Sequence, residues 1–211
     1  MKRFTTVAIL SVLVFSGISF ASFIPSWAGA PTSTYQAWTF DDNSTFIAAP
    51  DNGFGVPTAE VRIISPTVPA YQGGLGLGKW LNYDQGHQGV WRLFGPDGII
   101  LDIPNDPTDR PIKEIFVTVT YSADGALESE TEPGIAEMPL TVEHEDLGNS
   151  YVRDTFMFVL SPNPASEQIV IFPRDCRLYV DEIEVWTNCI PEPATMGLLG
   201  LGALVIFRKR K

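Results

Sequence analysis

The sequence predicts an all-β chain: a single β-sandwich of jelly-roll type over residues 31–190, with one short hydrophobic helix at each end. Three features carry that expectation. Helical periodicity is missing from 31–190, where short apolar runs alternate with polar residues, the period of a strand with one buried face. The chain contains 18 glycines and 17 prolines, which leave room for strands and turns but little for helices. Many short strands without helices bury their alternating faces only against a second sheet or by closing on themselves.

A first strand is expected to begin at Trp38-Thr39-Phe40, and others at 59–65, 90–94, 99–103, 115–121, 138–145, 155–160, 168–172 and 178–186. In 99–103, Ile99, Leu101 and Ile103 share one face; in 115–121, Ile115, Val117, Val119 and Tyr121 point inward while Thr118 and Thr120 point outward. The connection 105–111 is rich in Asn, Asp and Pro, so these two strands are expected to pair as a hairpin with a long loop.

The helix expected at the N-terminal end follows a positive Met1-Lys2-Arg3 with mostly apolar residues over 7–20, the pattern of a secretory signal. Ser19-Phe20-Ala21 and Ala28-Gly29-Ala30 both offer small residues at the spacing of a cleavage site, and Pro31 counts against the second. The mature start lies between Ser22 and Pro31, and 1–30 is set aside as signal.

The helix expected at the C-terminal end begins abruptly, because Pro191-Glu192-Pro193 cannot propagate helix backward. Residues 194–207 would span about 21 Å as a helix, against a hydrocarbon core of about 30 Å. Arg208, Lys209, Arg210 and Lys211 follow, a cationic flank that holds this end on the cytoplasmic side. The order Pro191-Glu192-Pro193-Ala194-Thr195, apolar stretch, basic terminus resembles the PEP-CTERM sorting signal of exported bacterial proteins. The resemblance implies that 191–211 anchors the chain in the inner membrane only until an exosortase-type enzyme removes it, leaving the domain at the cell surface or in the extracellular matrix.

Residues 31–190 hold 8 basic against 24 acidic side chains, a formal charge of −16. Such a surface repels nucleic acid and anionic lipid and favours solubility or divalent-cation capture. Trp38-Thr39-Phe40-Asp41-Asp42 and the strand through Asp181 resemble the first and last strands of galactose-binding-like jelly rolls, which lie side by side. That resemblance implies a structural calcium ion held by Asp41, Asp42 or Asn43 together with Asp181 and backbone carbonyls. The acids Asp97, Asp102, Asp106 and Asp109 lack calcium-loop spacing and read as a solvated connection.

Trp80, Tyr83 and Trp91 flank glycine-rich stretches at 73–78 and 85–89, a pattern that suits stacking on a polysaccharide. Catalytic patterns are absent. The two histidines, His87 and His144, exclude multi-histidine metal sites, no nucleophile elbow accompanies them, and no glycine run has phosphate-loop order. The many glutamates single out no hydrolase pair. A continuous strand over 178–186 would separate Cys176 from Cys189 too far for a disulfide and leave Cys189 as a free thiol in the linker before Pro191, able to pair with another chain; the alternative, a Cys176–Cys189 bridge, requires that strand to break and the chain to double back. The expectation is a non-enzymatic adhesion or structural domain, with a carbohydrate-binding module and a glycan-active hydrolase as alternatives.

Overall fold

The computed structural model describes residues 23–63, 78–94, 97–106, 110–123, 127–132, 140–164, 166–173 and 177–190, with the backbone course alone at 63, 127–132 and 140–142. Both expected terminal helices, the whole tail 191–211 and Cys176 lie outside the described residues.

Among the described residues twelve strands form two packed antiparallel sheets, and there is no helix. The larger sheet runs β4 (Lys79–Asp84), β5 (His87–Phe94), β12 (Arg177–Ile190), β7 (Ile112–Ala123), β10 (Tyr151–Leu160), β9 (Leu140–Gly148), with β1 (Ser33–Thr39) also paired to β12. The smaller runs β2 (Phe46–Ala48), β3 (Thr58–Ile63), β6 (Asp97–Pro104), β11 (Ser166–Pro173), β8 (Leu127–Glu132). Each of the nine expected strands overlaps an observed one. Their alternation explains the core: Ile99, Leu101, Ile103, Ile169 and Ile171 from the smaller sheet meet Ile115, Val117, Val119, Phe156, Phe158, Ile183 and Val185 from the larger.

Several expectations need correction. The strands around 99–103 and 115–121 do not pair: β6 lies between β3 and β11, and β7 between β12 and β10. The 105–111 connection therefore carries the chain from one sheet to the other. Asp97 and Asp102 belong to β6 rather than to a solvated loop, and Asp97 is buried. Burial raises its carboxyl above the usual range against an opposing hydrogen bond from the Phe94 backbone. Cys189 lies within β12 and not in a linker; it is 2% exposed, and its thiol donates to Asn105 Oδ1 at 3.2 Å. It has no disulfide, and burial pushes its thiol pKa up. A thiol so enclosed cannot reach another chain.

The strand β12 organises the larger sheet. Along one edge it pairs with β7 nearly throughout; along the other it pairs with β5 at 177–180 and with β1 at 182–188. Between these partners, at Asp181, the register against β7 shifts, so the side chain there is re-aimed where the neighbouring strand changes. At the far end of β12, Cys189 faces Lys113 across the ladder. The Lys113 ammonium, fully buried, pairs with Glu167 of the opposite sheet. Desolvation outweighs the attraction of that ammonium and pushes the Glu167 carboxyl up to about 7.

Candidate functional site

The polar groups that the fold gathers lie where two hairpin ends meet. The β4–β5 turn has two central residues, Gln85 and Gly86, with φ of 44° and 108°, the twist that suits a two-residue hairpin and that glycine adopts freely. Asp84 and His87 close it as a cross-strand pair. The β9–β10 turn passes through Gly148, Asn149 and Ser150, all at positive φ. A Cβ on Gly86 would lie 3.6 Å from Asn149 Nδ2, so the two tips touch. Behind them Gly89 takes φ of 72°, and a Cβ there would fall 2.1 Å from the Phe40 carbonyl oxygen. Only glycine lets the end of β1 cross β5 so closely.

Four side chains join these elements. The Tyr151 hydroxyl donates to Asp84 Oδ2 at 2.9 Å, and the His87 ring stacks on the Tyr151 ring with centroids 3.7 Å apart. His87 Nδ1 and Asp181 Oδ2 are 2.7 Å apart, which fixes the ring against the β12 irregularity. Tyr151 is fully buried, and burial, the Asp84 bond and the nearby carboxylates hold its hydroxyl well above the usual range. It therefore stays a proton donor at any physiological pH. A second arrangement of the same kind lies on β10 and β9, where Asp154 accepts from Tyr121 and pairs with His144, each at 2.5 Å.

A carboxylate beside an imidazole can orient a general base, but the base then needs a nucleophile or a bound reactant within reach. The hydrogen bond formed by His87 goes to Asp181, and that of His144 to Asp154. The His87 and Tyr151 contacts tie the β4–β5 end to β12 and to β10.

The expected site residues differ in environment. Trp80 and Trp91 face each other across β4 and β5 and pack into or against the core, Trp91 at 3% exposure and Trp80 donating its Nε1–H to the Phe40 carbonyl. Tyr83 alone of the three is exposed, at 63%. The three rings do not form one stacking platform. The glycines at 73–77 lie outside the described residues. Asp41 and Asp42 are exposed; Asp41 accepts from the Thr39 hydroxyl and Asp42 from the Ser44 amide, while Asp181 is engaged by His87. Among the described residues no group of three or more His, Cys, Asp or Glu side chains is arranged to hold a metal ion.

Sequence reasoning missed the Asp84–Tyr151 and His87–Asp181 pairings. The available signal was Gln85-Gly86 between two polar residues, a short hairpin turn; which strands the tip would reach depends on topology.

No curated protein and no solved structure matches the chain. Residues 190–211 match the PEP-CTERM protein-sorting motif. The chain thus carries the tail that its last residues resemble, and the motif implies an exported protein processed at the membrane by an exosortase and sorted to the surface or beyond.

Proposed function

We propose that the sandwich is a non-enzymatic module that supplies adhesion or architecture at the cell surface or in the extracellular matrix, freed there when the enzyme removes the tail. The observation that carries this reading is the junction between fold and tail. The matched motif begins at Ile190, the last residue of β12, and the end of that strand is hydrogen-bonded to β7. A cut anywhere beyond Ile190 leaves all twelve strands in place, so sorting costs the domain nothing. The pairing of β1 with β12 supports the jelly-roll reading, in which opening and closing strands are neighbours. A carbohydrate-binding role is left with Tyr83 alone of its three rings, and a hydrolase role has no assigned acid pair, so neither is favoured.

The test uses the full chain in a bacterium that carries an exosortase. Release of a protein lacking the tail is expected, and replacement of Pro191, Glu192 and Pro193 by alanine keeps the full-length chain in the membrane. Release with the tail still attached overturns the sorting role. The released protein should co-sediment with extracellular matrix without liberating reducing sugar ends. Steady liberation of such ends overturns the non-enzymatic role.

A further inference from the structure

The outward face of the larger sheet carries an apolar row that runs across four strands. Met157 of β10 opposes Phe116 of β7, Phe116 opposes Trp186 of β12, and Trp186 opposes Tyr35 of β1. Residues directly opposite in register share a face. An aromatic row on the outside of a sheet needs cover if it is not to be an exposed patch. The cover here comes from the segment just before β1. The Phe23 ring lies 5.0 Å from the Phe116 ring, and the Trp27 ring 5.7 Å from it on centroids. Pro25 between them is buried, and Phe116 is left 9% exposed.

The segment is built into the fold by its backbone as well. Ala28 N donates to Pro25 O, Ala30 N to Trp27 O, and both the amide and the hydroxyl of Ser33 donate to Ala30 O. Two successive turns then feed the chain into the ladder, where Thr32 O accepts from Cys189 N and Thr32 Oγ1 donates to Asn188. Cleavage between Ala30 and Pro31 would discard Phe23, Pro25 and Trp27 together and bare the Phe116 row. It would also turn the Ala30 carbonyl, which anchors Ser33, into the end of a discarded peptide.

We propose that signal peptidase cuts after Ala21, at Ser19-Phe20-Ala21, and that the mature protein keeps residues 23–30 as an aromatic cap over the Phe116–Trp186 face. The retained piece is then the first element of the domain and not the end of the leader. Cleavage hydrolyses the Ala21–Ser22 peptide bond, water supplying the hydroxyl to the Ala21 carboxyl and the proton to the new Ser22 amine.

The test is the intact mass and N-terminal sequence of the protein secreted by a host with a general secretory pathway. It needs no exosortase, so its outcome is independent of the sorting role. A mature start at Ser22 is expected; a start at Pro31 overturns the proposal. Ala21→Leu, which places a bulky side chain at the cleavage position, should leave the leader attached, whereas Ala30→Leu should be processed as the wild type is. The reverse pattern also overturns it. In the secreted protein, Phe23→Ala together with Trp27→Ala should lower Tm by about 5–10 °C and raise binding of an apolar fluorescent dye. An unchanged Tm and unchanged dye binding refute the capping role, and where that variant is not secreted, Trp27→Ala alone provides the same readout.

Discussion

The two ends of β12 handle charge in opposite ways. Near the C-terminal end, Lys113 and Glu167 pair across the two sheets with side chains 0% and 1% exposed. Near the N-terminal end, His87 and Asp181 pair at 23% and 20% exposure, beside the stacked Tyr151. Water still solvates the second pair and offsets the loss of either partner. It does not reach the first, so each buried ion there depends on the other. A single strand thus joins a contact whose removal is costly to one whose removal is mild.

The largest effect expected is from Lys113→Met, which takes the ammonium away from the buried Glu167 carboxyl, leaves it to be held without its partner, and should cost about 3–5 kcal/mol at pH 8. Urea unfolding measures it. Lys113→Met with Glu167→Met removes both charges and should recover the loss, because packed apolar side chains of similar volume replace the pair at little or no cost. A double variant as unstable as the single one would show that the pair fixes the packing of the sheets and not only its own charges.

The same end sets a pH dependence. The Glu167 carboxyl is raised from 4.5 to about 7 in the folded protein, so between those values the folded state holds a proton that the unfolded state has lost. Its contribution is therefore fully present below about 4.5 and is lost as pH rises through about 7, with a slope of up to about 1.4 kcal/mol per pH unit. Glu167→Gln should flatten that segment of the stability profile. Equal slopes in the two proteins would place the pH dependence elsewhere.

Gln36 sharpens the contrast from within the same core. It lies on β1 opposite Val185, is 2% exposed, and neither its Oε1 nor its Nε2 has a hydrogen-bond partner among the described residues. An unpaired buried amide carries its desolvation cost without return. Gln36→Leu should stabilise the protein by about 1–2 kcal/mol, read as a rise in the urea midpoint at unchanged slope. A loss of stability would mean that an ordered water serves the amide.

The sequence made the inner face of each sheet legible, since Ile99-Leu101-Ile103 and Ile115-Val117-Val119 alternate cleanly and both proved to be core. It hid β2, β4 and β8 for different physical reasons. Phe46–Ala48 is too short to show a period, and Lys79–Asp84 places Trp80 inward and Tyr83 outward among polar residues. Leu127–Glu132 has a single apolar residue and is a strand by virtue of pairing with β11. The pairing of β6 and β7 was misjudged because alternation fixes which face a residue takes and says nothing of which sheet the strand joins. The sorting motif was legible because its information is local: composition and order along one segment. The hairpin junction was not, because Asp84, Tyr151 and Asp181 meet only after three strands are placed. The Phe23 and Trp27 cap was hidden by its position, next to a leader that pattern alone assigns to the signal.

The smallest effect is expected at the hydrated end of β12, and it decides whether the comparison holds. His87→Phe keeps an aromatic ring to stack on Tyr151 but removes the partner of Asp181 Oδ2. Because Asp181 remains about one-fifth exposed, water can take the vacated position, and the cost should stay at or below about 1 kcal/mol. Tyr151→Phe removes the bond to Asp84 while keeping the stack, and Asp84 at the hairpin closure can likewise turn to solvent. The two rings are in direct contact, so the double variant should show a coupling of about 0.5 kcal/mol or more and not a simple sum. A loss comparable to that of Lys113→Met would mean that the hairpin ends hold the larger sheet together through this junction. The bond to Asp181 would then be a structural clasp as strong as the buried ion pair, and partial hydration would not be what separates the two ends of the strand.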